Sequence, residues 1–171
     1  FSEYPFCERY TYGDEHGVKA RPLSGLSAGD YLFFYATLTV SQSADWLPPE
    51  WGAFLIGHFR LARDPITGEE WPNLPAEERA LVRGNAHRRR EEMDARVLLA
   101  GDSAGSALYD RAVALSRPDG GTEAGPLVTE HSADSGRGPW WRRPLRFDEA
   151  GTAAVLDRVA AAGAAPDRYH R

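Results

Sequence analysis

The chain has 171 residues, a mass of 18.9 kDa and a formal net charge of −5 at neutral pH. That length suits one domain of ordinary size, and the charge excludes a globally basic nucleic-acid coat while leaving room for a local basic groove. Hydrophobic residues at 42% and charged residues at 26% exclude wholesale disorder. No apolar run approaches the roughly 20 residues that span a bilayer, and no signal peptide is visible. A single cysteine, Cys7, excludes an internal disulfide framework and a Cys-rich zinc site, and points to a reducing, cytoplasmic setting. The chain opens at Phe1 rather than methionine, so a further N-terminal segment is expected. Lys19 is the only lysine, which makes 19 of the 20 basic residues arginine. Arginine's planar fork suits phosphate, carboxylate or base edges, although a GC-rich genome produces the same bias.

In chain order, residues 1–30 are polar and turn-rich. Tyr31 to Val40 is aromatic and β-branched behind the turn pair Gly29-Asp30, and predicts a buried strand. Ser41 to Gly52 reads as a loop carrying Pro48-Pro49 and two tryptophans, Trp46 and Trp51. Ala53 to Arg63 is a second strand, expected to lie antiparallel beside the first, with Gly57 marking a bulge or bend. A turn at 64–68 leads to a short helix, Ala76 to Arg83, with Pro75 at its start, Glu77 and Glu78 early and Gly84 after its end. Arg96 to Ala100 is a third strand, Ser106 to Asp110 a helical turn and Ala112 to Ser116 a fourth strand. Residues 117–139 read as a long loop, and Asp148 caps a last helix, Glu149 to Ala162, closed by Gly163. Short strands with peripheral helices predict an α+β domain, residues 1–171, around a curved sheet or barrel.

Four segments carry residues suited to chemistry. In Tyr10-Thr-Tyr12-Gly-Asp14 the tyrosine faces can stack on a base and Asp14 can accept a hydrogen bond from it; the plain alternative is an Asx-type turn. In Asn85-Ala-His87-Arg88-Arg89-Arg90 the amide and guanidiniums suit base edges and phosphates, and the imidazole suits acid/base work. Its alternative is a solvated face neutralised by Glu91, Glu92 and Asp94. Gly101-Asp102-Ser103-Ala-Gly105-Ser106 follows a strand and can turn backbone N–H groups toward phosphate, but lacks the Gly-Lys-Ser/Thr ending of a phosphate loop and is not a nucleophile elbow. Trp140-Trp141-Arg142-Arg143 interleaves aromatics with arginines, as single-stranded or flipped bases require, or else closes the core. The five histidines are scattered without metal-ligand spacing, so no metal is expected, and His58 reads as a half-buried structural residue.

Taken together, Tyr12-Gly-Asp14, Leu26-Ser-Ala-Gly-Asp30-Tyr-Leu-Phe-Phe-Tyr35, Phe54-Leu-Ile-Gly-His-Phe59, Asn85-Ala-His87-Arg88 and Gly101-Asp102 with Ser106-Ala-Leu resemble the nucleotide-modification-associated domain proteins of archaea and bacteria. The Gly-Asp-aromatic strand followed by an Ile-Gly strand is also similar to the PUA-like superfamily, with its EVE, YTH and ASCH domains. The resemblance spans roughly residues 4 to 118. It implies a PUA-like β-barrel with flanking helices, an association with DNA-base modification and defence against foreign DNA, and an aromatic cage for a modified base.

Two functions follow as expectations. The first is a module binding a modified or flipped nucleotide, in DNA more than RNA: Tyr10, Tyr12, Trp140 or Trp141 stack on the base, Asp14 and Asn85 read its edge, and Arg88, Arg89 and Arg142 hold phosphates with Ser103 nearby. The alternative is an enzyme acting on a nucleotide or DNA base, with His87 and Asp14 or Asp102 as acid/base groups. Neither calls for a cofactor or a membrane, and partner subunits of a modification or defence system are expected. Asp14, Asn85, His87 and Asp102 are expected to converge on one pocket. A reader should show parallel aromatic faces about 7 Å apart.

Overall fold

The structure, a computed structural model, describes residues 10–39, 51–117 and 121–164. Cys7, Trp46, the Pro48-Pro49 pair and His170 lie outside them. Strands β1 (Thr11–Asp14), β2 (Tyr31–Thr39), β3 (Trp51–Arg60), β4 (Ile66–Thr67), β5 (Val97–Ala100) and β6 (Ala107–Ala114) alternate with helices α1 (Gly17–Leu23), α2 (Ala76–Leu81), α3 (Pro126–Thr129) and α4 (Glu149–Ala161). Short 3-10 turns occupy Trp71–Asn73, Ala86–Arg89 and Trp140–Arg142. The architecture is α+β.

The strands form two three-stranded antiparallel sheets, ordered β1-β5-β4 and β2-β3-β6. β2 and β3 are neighbours, as their aromatic content predicts; beside them the Gly29 N–H donates to the Leu61 carbonyl and the Leu61 N–H to that of Asp30, both at 2.8 Å. The expected closed barrel is not formed by the described residues. β5 has a strand on each side, and the pairing of Leu61 with Gly101 is a single bridge, too short a ladder to close a cylinder.

The chain divides into two compact units, with boundaries between Leu32 and Phe33, Gly57 and His58, and Ala107 and Leu108. The first unit is built on β5, whose Val-Leu-Leu-Ala is buried at every position, as a central strand covered on both faces requires. On one face Leu98 and Ala100 pack with Ile66, Leu74, Val82 and Ala95; on the other Val97 and Leu99 pack with Ala20 and Leu61. In the second unit Trp140, Leu55, Val113, Leu115, Val128, Val155 and Val159 share one core. Trp140 is fully buried, and its indole Nε1–H donates to the Thr122 carbonyl at 2.7 Å, so the ring is buried without an orphaned donor.

Several elements depart from the sequence reading: β2, read as buried, is half-buried to exposed over residues 31–38, and β4 lies in the expected turn at 64–68. Tyr10 to Asp14 is mostly strand β1 rather than a turn, because pairing with β5 outweighs the turn chemistry of Gly13 and Asp14. Ser106 to Asp110 is no helical turn: Ala107 to Asp110 belongs with Ala112 to Ala114 to the single strand β6, whose Asp110 and Arg111 are exposed at midstrand, where charge masks the β signal. Helix α1 was not expected, since Gly17 and Pro22 are poor helix formers; it buries Ala20, and the Asp14 carboxylate accepts the His16 N–H at its start. Along 121–139 the expected loop carries α3, which buries Val128. Helix α4 begins as predicted, the Asp148 carboxylate accepting the Gly151 N–H at 2.8 Å.

Candidate functional site

Strand β1 explains how the two most distinctive motifs meet. Side chains alternate along a strand, so Thr11 and Gly13 share one face and Tyr12 and Asp14 the other. On the first face the Asn85 amide donates to the Thr11 hydroxyl at 3.3 Å, and its Oδ1 accepts the His87 N–H at 3.0 Å, capping the 3-10 turn Ala86–Arg89. Gly13 has to be glycine: a Cβ there would lie 2.7 Å from His87 Cδ2, 2.9 Å from Leu98 Cδ2 and 3.0 Å from Asn85 Oδ1. Tyr-Gly-Asp and Asn-Ala-His-Arg are therefore two halves of one packed contact.

On the opposite face the Tyr12 hydroxyl donates to Asp14 at 2.8 Å, and the buried Asp14 also accepts the His16 N–H at 2.8 Å. Burial foremost, then the Asp14 carboxylate, pushes the Tyr12 hydroxyl well above its ordinary pKa of 10.0. Asp14 thus lies across the strand from His87. Asp102 lies beyond the far end of β5, since Asp14 pairs with Val97 while Thr11 pairs with Ala100. The four polar residues expected in one pocket do not converge; Asn85 and His87 do. The carboxylate beside His87 is Asp94, its Oδ1 2.7 Å from Nδ1. Arg90 bridges the same region, donating to Glu15 at 2.7 Å and to Asp94.

The remaining residues singled out in this unit have structural surroundings. Tyr10 is buried edge-to-face against Phe59, with ring centroids 5.5 Å apart, rather than forming an open wall. Asp102 builds an Asx turn by accepting the Ala104 N–H at 2.9 Å, and Arg60 Nη1 lies 3.5 Å from its other oxygen; Ser103 is exposed on that turn. Gly105 leaves no room for a Cβ against the Arg60 side chain, so this loop is a tight turn clamped by Arg60. The Arg88 and Arg79 guanidiniums lie over the Trp71 ring, 5.2 and 5.5 Å from its centroid, and Arg89 is exposed. His58 is half-buried beside Tyr31, and burial lowers its pKa against a Gly105 backbone hydrogen bond that raises it.

The second unit holds an open hollow of about 560 Å³ lined by Tyr35, Ala36, Thr37, Trp51, Trp141 and Arg142. Of the adjacent tryptophans, Trp140 is fully buried in the core, and Trp141 is half-buried, packed against that core and lining the hollow. Trp51 and Trp141 meet edge-to-face, 5.9 Å apart and 83° between planes, which makes a corner instead of the parallel sandwich expected of a reader. Arg143 builds this corner. It forks onto Asp134 at 2.8 and 2.9 Å, and its carbonyl accepts the Tyr35 hydroxyl at 2.8 Å. The Arg143 hydrogen bonds hold the Asp134 carboxyl below the usual range. Arg143 is thereby engaged by Asp134, whereas Arg142, expected at a phosphate, is exposed and has no ion pair among the described residues. A second hollow, about 400 Å³ beside Asp148 and Arg146, opens at the start of α4, where Asp148 already caps the helix.

Sequence reasoning missed Tyr35 and Trp51 as wall residues. Tyr35 lies in a strand read as buried and Trp51 in a segment read as loop; both are aromatic, but nothing local marks them as a pair.

This α+β chain belongs to the family described as nucleotide modification associated domain 3, whose pattern it matches over residues 1–157. None of the curated proteins or solved structures compared with it matches. Among the described residues, no helix is long and apolar enough to cross a membrane.

Proposed function

We propose that this chain binds a nucleotide for a DNA-modification system, taking a modified or flipped base into the hollow of Tyr35, Trp51 and Trp141 with Arg142 at the phosphate. The hollow itself supports this reading: three aromatics from separate segments surround open space of about 560 Å³, beside an arginine without a carboxylate partner among the described residues. The perpendicular tryptophans offer one face for the ring and one edge for a substituent, which suits a single extruded base better than a stacked run. DNA rather than RNA, defence against foreign DNA and partner subunits complete the proposal; their support is the family and the motif resemblance. For the enzyme alternative, the carboxylate at hydrogen-bond distance from His87 is Asp94 rather than Asp14 or Asp102.

The test is calorimetric titration with deoxynucleoside monophosphates, methylated and unmodified, and with a short single-stranded oligonucleotide. Trp141→Ala should weaken binding by about 1–3 kcal/mol, the contribution of one base–aromatic stack. Arg142→Gln should weaken phosphate-bearing ligands but not the bare nucleoside, and should flatten the salt dependence. Affinities that neither substitution changes would move the binding site elsewhere.

A further inference from the structure

We propose that Glu15, His87 and Asp94 form a binding site for a divalent transition-metal ion, with Arg90 as the resident cation that the metal displaces. The proposal is independent of the nucleotide hollow, which lies in the other unit. One ligand atom from each of the three side chains lies within 4.8 Å of the other two, so a small inward movement of the side chains brings all three to bonding distance of a single ion. Exposed carboxylates often gather without binding anything, and three features separate this group from such clusters.

The first is the imidazole. One nitrogen with two carboxylates is a donor set for zinc, manganese or iron(II), whereas magnesium and calcium prefer oxygen alone. The second is that the backbone carrying each ligand is set by ordered neighbours. His87 is held by the Asn85 amide and by the absence of a Cβ at Gly13. Glu15 follows Asp14, which is fixed by Tyr12 and the His16 N–H. Asp94 closes the segment leading into Ala95 and β5, both buried. The third is that a positive charge already stands there: the Arg90 guanidinium donates to both Glu15 and Asp94. A guanidinium neutralises one of the two carboxylates and cannot use the imidazole lone pair; a divalent ion does both. Metal at Nδ1 requires the tautomer with its hydrogen on Nε2, so the bond to Asp94 gives way to shared coordination. The half-exposed Arg90 has room to swing into solvent.

The full-length chain, dialysed against chelator, is titrated calorimetrically with zinc and manganese chloride, with magnesium as the contrast. The proposal expects saturable uptake of one zinc or manganese per chain, weakened about tenfold or more by His87→Ala, Asp94→Asn or Glu15→Gln. Arg90→Met should tighten binding by removing the competitor, an effect that a purely structural ion-pair network does not produce. Circular dichroism confirms that each variant is folded, and if Arg90→Met is not, the wild type and the three ligand variants decide. The absence of saturable binding in the wild type, or binding that His87→Ala leaves unchanged, would overturn the site.

Discussion

The contact between β1 and the Asn85–Asp94 segment and the hollow around Trp141 differ in how they use polar and aromatic groups. In the first, nearly every polar atom meets another: Asn85 serves Thr11 and the His87 N–H, Asp14 serves Tyr12 and the His16 N–H, and His87 meets Asp94. A buried polar group without a partner costs on the order of 1–3 kcal/mol, so a segment rich in such groups folds stably when they satisfy one another. In the second, aromatic side chains line open space beside an arginine that has no ion pair among the described residues. The region with the more distinctive sequence motifs is thus the more closed one, and the region with weaker motifs has room for a ligand. A polar motif can mark a contact the fold requires as readily as a contact with substrate.

The sharpest way to break this comparison is within one dipeptide. Trp140→Ala empties a fully buried core position and should cost about 3–5 kcal/mol in urea unfolding. Trp141→Ala should cost clearly less stability and instead lower nucleotide affinity. If both substitutions act mainly on stability, the hollow is packing. Next in size, Gly13→Ala drives a Cβ into His87 and Leu98 and should destabilise by about 1–3 kcal/mol, while the folded fraction keeps its nucleotide affinity. A parallel loss of affinity would show that the two regions act together.

Alkaline pH provides a third comparison. Burial raises the pKa of Tyr12 in the closed region and of Tyr109 beside the core of the second unit, above the ordinary 10.0. The folded state therefore resists losing these protons while the unfolded chain releases them. Their effect is nil below about pH 10, and stability then falls as pH rises. Tyr109→Phe should flatten that fall in denaturation midpoints measured across the alkaline range; an unchanged slope would mean Tyr109 ionises as freely when folded. The smallest effect is expected at the clamp. Asp134 is depressed by Arg143, so its contribution is present above the ordinary 3.8 and is lost as pH falls through the lower folded value. Asp134→Asn should cost about 1 kcal/mol or less near neutrality and remove that acid dependence. It should also loosen Arg143 beneath the hollow, measured as a modest rise in the nucleotide Kd.

The sequence made the long strands legible because aromatic and β-branched runs such as Tyr31–Thr39 speak for themselves. It also made α4 legible, because Asp148 and Gly163 punctuate it. It hid β1 because four residues containing Gly13 and Asp14 carry turn chemistry, and only β5, more than 80 residues away, makes them a strand. It split β6 because Asp110 and Arg111 interrupt the apolar pattern at an edge. For the site, residue types suggested that Asn85 and His87 belong together, and they do. The face on which each side chain emerges depends on strand parity, and that parity separates Asp14 from His87. Tyr35, Trp51 and Trp141 become one wall only after the second unit has folded, so no local spacing announces them.

The exposed Asp110-Arg111 pair on β6 also bears on how copies of the chain behave toward one another. β6 stands at the end of its sheet among the described strands, with backbone groups able to template a strand from another molecule. Asp110 and Arg111 emerge on opposite faces at midstrand, so a strand added at this edge meets a charge on either face, which disfavours such pairing relative to an apolar edge. Replacing both with valine would raise the strand's β-propensity and remove its protection against self-association.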